Sequence, residues 1–175
     1  MRKVVERTAK RYGSDVLFFH GHIHEIAVEL KQRSDSAKYR EQKYPCIMML
    51  EDFRETHSTG KPWDMEADVQ VLIVAGSDMN YTSDERIEKV FKPVLYPICD
   101  AFISALKGSS RILSVPSSNL RYLKIDRHKC TSAFLREVSY ANESTKSQNT
   151  AALLADHLDA IELNLNLKLM ELEDC

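Results

Sequence analysis

Near the end of the chain, Ile161, Leu163, Leu165, Leu167 and Leu169 alternate with Glu162, Asn164, Asn166 and Lys168. Side chains of an extended strand point to opposite faces in turn, so this period gives one apolar face and one wet face. A helix would scatter the five apolar side chains around its circumference. Each contributes about 1.5–3 kcal/mol when fully buried, and a slip of one residue would turn all five to water. The segment is expected to be a strand, and such a strand needs a sheet with something packed upon it.

Two further strands can be read. Pro45 opens Cys46-Ile47-Met48-Met49-Leu50, a continuous apolar run that suits burial on both faces. Glu66 to Val71 alternates strictly and continues into Leu72-Ile73-Val74-Ala75, a strand passing from half-exposed to buried. Residues 54–62, holding Thr, Ser, Gly and Pro, are expected to be the turn or hairpin loop between two antiparallel strands. Asp15 to His20 is expected as a short strand or extended arm, and Leu120 to Ile125 as another short strand. Little pattern marks the rest of 109–156, and polar Glu143 to Gln148 is expected to be mobile.

Helices alternate with these strands. Residues 3–12 place Val4, Val5, Ala9 and Tyr12 near one face, and Gly13-Ser14 breaks the pattern. Ile23, Ile26, Ala27 and Leu30 form a second stripe, closed by the polar run Gln32 to Ser36, with 34–43 expected as loop. Thr82 followed by Glu85 is a capping box that starts a helix near Ser83. Pro93 and Pro97 each remove a hydrogen bond and crowd the preceding turn, which predicts a break or kink. A new helix then runs to Lys107 on Ile98, Phe102, Ala105 and Leu106, with Gly108 as its stop.

At 175 residues the chain can bury one sizeable core and is short for two. The expected fold is a single α+β domain over 1–175, a mixed, mainly antiparallel sheet flanked by helices, with possible flexible arms near 54–62 and 140–150. The net charge of −2, with basic residues spread along the chain, lacks the basic stripe that displaces counterions from nucleic acid. Cys46, Cys99, Cys130 and Cys175 lie far apart with no C-x-x-C pair, so neither a zinc knuckle nor a redox motif is expected. The N-terminal residues carry no apolar leader segment, and the run Cys46–Leu50 is far too short to cross a bilayer. A reducing compartment and no membrane are expected.

Three patterns could carry chemistry. His20, His22 and His24 lie in His20-Gly21-His22-Ile23-His24-Glu25, and on an extended segment all three imidazoles would face one metal ion. Gly21 to His24 also matches one piece of the metallophosphoesterase pattern, but that family's upstream D-x-H and its G-N-H-[DE] are absent. His24 and Glu25 are expected to belong to the following helix, which spoils the alternation. Glu51, Asp52 and Glu55 follow a buried strand and could hold magnesium or serve as acid and base. Asp126-Arg127-His128-Lys129-Cys130 puts a histidine near a thiol. No nucleotide-binding or nucleophile-elbow motif occurs. The expectation is a non-enzyme with no cofactor.

Three blocks together resemble a known family. They are Phe18-Phe19-His20-Gly21 with Glu25-Ile26, then Lys43-Tyr44-Pro45 through Leu50 with Asp52-Phe53 and Glu55, then Glu85-Arg86 with Phe91-Lys92-Pro93-Val94-Leu95-Tyr96-Pro97-Ile98. With the closing Asp159-Ala160-Ile161-Glu162 they are similar to small head–tail joining and tail proteins of tailed phages and prophages of gut-type Gram-negative anaerobes. In length and layout the match is to the tail terminator class. That resemblance implies a homo-oligomeric ring, usually a hexamer, that stops tail tube polymerisation and docks head-completion or neck proteins. It implies a virion protein assembled in the host cytoplasm, with DNA passing through without specific binding and no catalytic residue. Alternatives are a neck, stopper or other head–tail adaptor, a metal-dependent hydrolase using His20, His22 and His24, and a generic adaptor binding through its sheet edge.

Overall fold

The structure, a computed structural model, describes residues 1–36, 42–50, 54–57, 65–109, 120–130 and 157–169. Helix α1 (Arg2–Tyr12) leads to β1 (Leu17–Gly21), α2 (Ile23–Asp35) and β2 (Cys46–Leu50). Then come β3 (Arg54–His57), β4 (Met65–Gly76) and α3 (Ser83–Arg86). A π-helical segment (Ile87–Leu95), α4 (Tyr96–Lys107), β5 (Arg121–Cys130) and β6 (Leu158–Leu169) complete the order. The chain is α+β, as its patterning requires.

The strands form one sheet in the order β1-β2-β4-β6-β5, with β3 also pairing to β4. Only β1 and β2 are parallel, joined through α2 as a crossover needs, and every other pair is antiparallel. β4 and β6 pair along their whole lengths, from Met65 opposite Leu169 to Gly76 opposite Leu158. Two twelve-residue partners thus make the spine of the sheet.

Period-two burial decides the layers. Ala67, Val69, Val71, Ile73 and Ala75 of β4 share one face with Ile161, Leu163, Leu165 and Leu167 of β6. Against that face pack Val4 and Val5 of α1, Phe91 and Leu95 of the π segment, and Ile98, Phe102 and Leu106 of α4. Among the described residues, the opposite face is covered at one end, where Ile26, Ala27 and Leu30 of α2 meet Cys46, Met48, Leu72, Val74, Leu158 and Ala160. The apolar stripe read for α2 is thus the one it buries. Helix α1 is tied to α4 by Arg7 Nη1 donating to the Gly108 carbonyl at 3.1 Å and by a hydrogen bond from Arg11 to Ser104.

Local signals act where they were read. Gly13 ends α1 in the left-handed region at φ 82°, which a residue without Cβ adopts freely. Thr82 and Glu85 close a reciprocal capping box at the start of α3. The strand Cys46–Leu50 is buried on both faces, and it pairs antiparallel with β4.

Three expectations are corrected. Arg54–His57, assigned to a turn within 54–62, is a strand pairing with β4; the remainder of that stretch and the 140–150 arm lie outside the described residues. Met49 opposes Val71 and Arg54 opposes Asp68, so one side advances five residues while the other advances three. Turn-forming composition cannot reveal an irregular strand that a long partner holds in place.

Pro93 and Pro97 do not interrupt the helix. Backbone angles stay helical at Arg86, Leu95 and Tyr96, but the hydrogen bonding widens to i→i+5 over Ile87–Leu95, where Tyr96 N–H reaches the Phe91 carbonyl. A wider spiral relieves the crowding of a proline ring against the carbonyl of the preceding turn. The α geometry then resumes through Pro97 in the first turn of α4.

Finally, β6 has a wet face only in its second half. Asp159 and Glu162 are both buried, Asp159 against Ser77 and Arg86 where the loop after β4 closes over it, and Glu162 among the side chains of Gln70, Arg127 and Asn164.

Candidate functional site

Beyond α2, the second face of the sheet has no described element upon it. Glu66, Asp68 and Gln70 of β4 lie beside Lys168, Asn166 and Asn164 of β6, and Arg121, Leu123, Ile125 and Arg127 of β5 continue the surface. A shallow, open concavity of about 510 Å³ lies here, bordered by Asp68, Gln70, Arg121, Leu123, Asn164 and Asn166. The wet residues of the two alternating patterns thus form one polar floor.

The floor is held in register by cross-strand pairs. Glu162 is its centre, with Oε1 accepting from Gln70 Nε2 at 3.0 Å and Asn164 Nδ2 at 2.9 Å, and Oε2 from Arg127 Nε at 2.9 Å. Burial alone would raise its carboxyl pKa, but the donors from Asn164, Arg127 and Gln70 outweigh that and hold it below the usual carboxylate range. Asn166 Nδ2 donates to Asp68 Oδ1 at 2.8 Å, and Lys168 pairs with Glu66 at 2.8 Å. The amides and carboxylates largely satisfy one another, so this is a rigid, patterned surface.

β5 is fixed from the helical side. Tyr96 donates its hydroxyl to Asp126 Oδ2 at 2.7 Å, and Lys124 Nζ lies 4.1 Å from the Tyr96 ring. Asp126 Oδ1 is 3.5 Å from Lys124 Nζ, an ion-pair distance without a hydrogen bond among the described residues. The rings of Phe91 and His128 sit 4.5 Å apart. Phe91 of the π-helical segment and Tyr96 at the start of α4 thus clamp this strand. β5 is nonetheless the last described strand on its side, with Tyr122 44% and Leu123 58% exposed. At the other end of the sheet the last strand is β1, which carries Phe18 and His20 with rings 6.5 Å apart.

The three histidines do not share one extended face. His20 ends on β1, His22 precedes α2 with its carbonyl accepting from Ile26 N–H, and His24 is within α2. The helix begins at Ile23 and breaks the alternation. Among the described residues no three metal-ligating side chains cluster. Glu51 and Asp52 lie outside the described residues, while Glu55 stands exposed on β3. His128 is packed on Phe91, and the side chain of Cys130 is not among those described. Cys46 and Cys99 are buried thiols; burial pushes both pKa values up, that of Cys99 to about 11, which disfavours thiolate chemistry.

Sequence reasoning named Arg86 and Asp159 only within the blocks that carry the resemblance and missed their pairing. Arg86 Nη1 lies 2.8 Å from Asp159 Oδ1 and 2.8 Å from Ser77 Oγ, and Ser77 Oγ donates to Asp159 Oδ2 at 2.5 Å. The same guanidinium donates to the carbonyls of Asp78 at 2.6 Å and Tyr81 at 3.2 Å. A charged residue at an otherwise apolar end of β6 was the one available signal.

Neither a protein-family model nor a curated protein sequence matches the chain. No helix of the described residues is long and apolar enough to cross a membrane.

Proposed function

We propose that this protein is a structural subunit of a tailed-phage virion, forming a ring at the tail–head junction. In this reading it terminates tail tube polymerisation and docks the head-completion proteins. The observation that supports it best is the pair of unlike outer strands. Among the described strands, β1 is outermost on a parallel pairing and β5 on an antiparallel one, with different side chains on each. A ring contact is heterologous, joining one patch to a different patch on the next copy, so unlike borders suit it. Backbone groups on an outer strand can also continue a neighbour's sheet. The rigid polar floor beside β5 suits a docking surface, since its pairs hold their geometry without a partner.

A neck or stopper role uses the same surfaces and is the second reading. Light scattering and electron microscopy on the purified chain, alone and mixed with tail tubes, distinguish these readings. A ring that caps tubes supports the terminator, and a ring that binds only head connectors favours the stopper. A chain that stays monomeric and never caps tubes or connectors defeats both.

A further inference from the structure

We infer that β5 is a latched strand, which undocks from β6 as a unit while the rest of the sheet stays folded, with Phe91 and Tyr96 as the latch. The inference goes beyond the ring reading and does not depend on it. No residue from Arg121 to His128 is buried. The outer described strand on the opposite side differs, since β1 buries Phe19 and Gly21 within its five residues. Segments open separately from the rest of a fold where few buried apolar contacts hold them. The ladder is also irregular. It runs from Arg121 opposite Asn166 to Arg127 opposite Ala160, then shifts register before Cys130.

What β5 offers to the helical side is polar. Lys124 lies opposite Leu163 and Asp126 opposite Ile161, so both stand in a row that β6 fills with buried apolar residues. Both reach Tyr96, Asp126 as acceptor of its hydroxyl and Lys124 over its ring, while His128 lies against Phe91. Asp126 Oδ1 is buried without a hydrogen bond among the described residues, so the docked state carries a desolvation cost that undocking relieves. The helical half of the latch depends on the wide spiral. Phe91 and Tyr96 are five residues apart, which an α-helix would turn about 140° from each other. Bonding from i to i+5 sets one above the other, with ring centroids 5.7 Å apart, so both meet β5 from one side. Opening of the latch bares the β6 backbone groups that pair with β5 between Ala160 and Asn166.

Hydrogen exchange resolved by residue, on the full chain, tests this. In an antiparallel sheet alternate N–H groups of β6 point to β5 and the others to β4, so one strand reports on both sides. The β6 amides bonded to β5 should exchange together with their β5 partners, at least about tenfold faster than those bonded to β4. Tyr96→Phe keeps the ring and removes the donor to Asp126. It should speed the first set about tenfold and move the second by less than about twofold. Asp126→Val places an apolar side chain opposite Ile161, and should slow the first set below the parent rate, alone and when added to Tyr96→Phe. One common rate for both sets of β6 amides in the parent overturns the inference. Equal acceleration of both sets in Tyr96→Phe also overturns it, because the contact then serves the whole fold. An Asp126→Val chain whose first set exchanges at or above the parent rate does the same, and this arm decides the matter where Tyr96→Phe does not fold.

Discussion

Arg86 and Asp159 form a buried ion pair at 2.8 Å, with side chains 1% and 0% exposed, seventy-three residues apart in the chain. The pair joins the capped start of the long helix to the first residues of β6. It also gathers the loop after β4, because the guanidinium takes the carbonyls of Asp78 and Tyr81 and the Ser77 hydroxyl bridges to the carboxylate. A buried charge without its partner is costly, whereas a fully hydrogen-bonded pair is tolerated.

Replacing Arg86→Met should therefore cost about 3–5 kcal/mol, since Asp159 is left charged and buried and two carbonyls lose their donor. Arg86→Lys should fall between, as one ammonium cannot reach all the partners of a planar fork. Asp159→Leu added to Arg86→Met should recover part of the loss. Urea unfolding measures all three, and a loss under about 0.5 kcal/mol for Arg86→Met would show the pair to be incidental.

Thr82→Ala should cost about 0.5–2 kcal/mol through loss of the helix cap. Glu85, which accepts from the Thr82 backbone N–H, Lys89 and the Thr82 hydroxyl, has its carboxyl pKa lowered to about 2. A carboxyl whose folded pKa lies below its unfolded value of about 4.3 stabilises fully above that value and loses its effect as pH falls towards 2. Denaturation from pH 6 to pH 2 should show parent and Glu85→Gln converging at the acid end. Parallel curves over that range would contradict the assignment.

Gly21→Ala should destabilise the chain by about 1–3 kcal/mol. Gly21 has φ 149°, which residues with a Cβ rarely adopt, and an added Cβ would meet Glu25 Oε2 at 3.0 Å. Adding Glu25→Ala should return only the contact and leave the backbone cost. Thermal melts of the single and double variants separate the two contributions, and full rescue by the second change would refute a backbone origin.

The Tyr96 phenol is pushed up to about 12 by its hydrogen bond to Asp126, by burial and by the carboxylate's charge. Its folded pKa exceeds the ordinary value of about 10, so its contribution to stability is present below pH 10 and is lost as pH rises through 12. Asp126→Asn should bring the titration back towards 10, followed by ultraviolet absorbance against the parent. An unchanged profile would show that the Tyr96–Asp126 bond does not form in solution.

Much of the fold was legible because its signals are local. The alternation from Ile161 to Leu169, the both-faces burial of Cys46–Leu50 and the Thr82/Glu85 box each depend on neighbours within a few residues. Arg54–His57 was illegible because its strand character comes from Asp68 to Met65 opposite it. The π-helical segment was illegible too, since local rules price Pro93 as a break, while buried Phe91 and Leu95 hold the spiral against the sheet. The candidate surface was half visible. Its polar floor could be read from the wet residues of β4 and β6, but neither β5's place beside them nor Glu162's three donors could.

The sequence by itself determined the longer strands and helices, such as Cys46–Leu50, Met65–Gly76 and Leu158–Leu169, and which side of each is apolar, because those follow from the periods of backbone geometry. Only the tertiary structure decided that α2 packs on one end of a face, that β5 pairs beside β6, and that Asp159 is buried against Arg86. Those outcomes rest on residues distant in the chain, where packing and the desolvation of charge, not local periodicity, choose between otherwise equivalent arrangements.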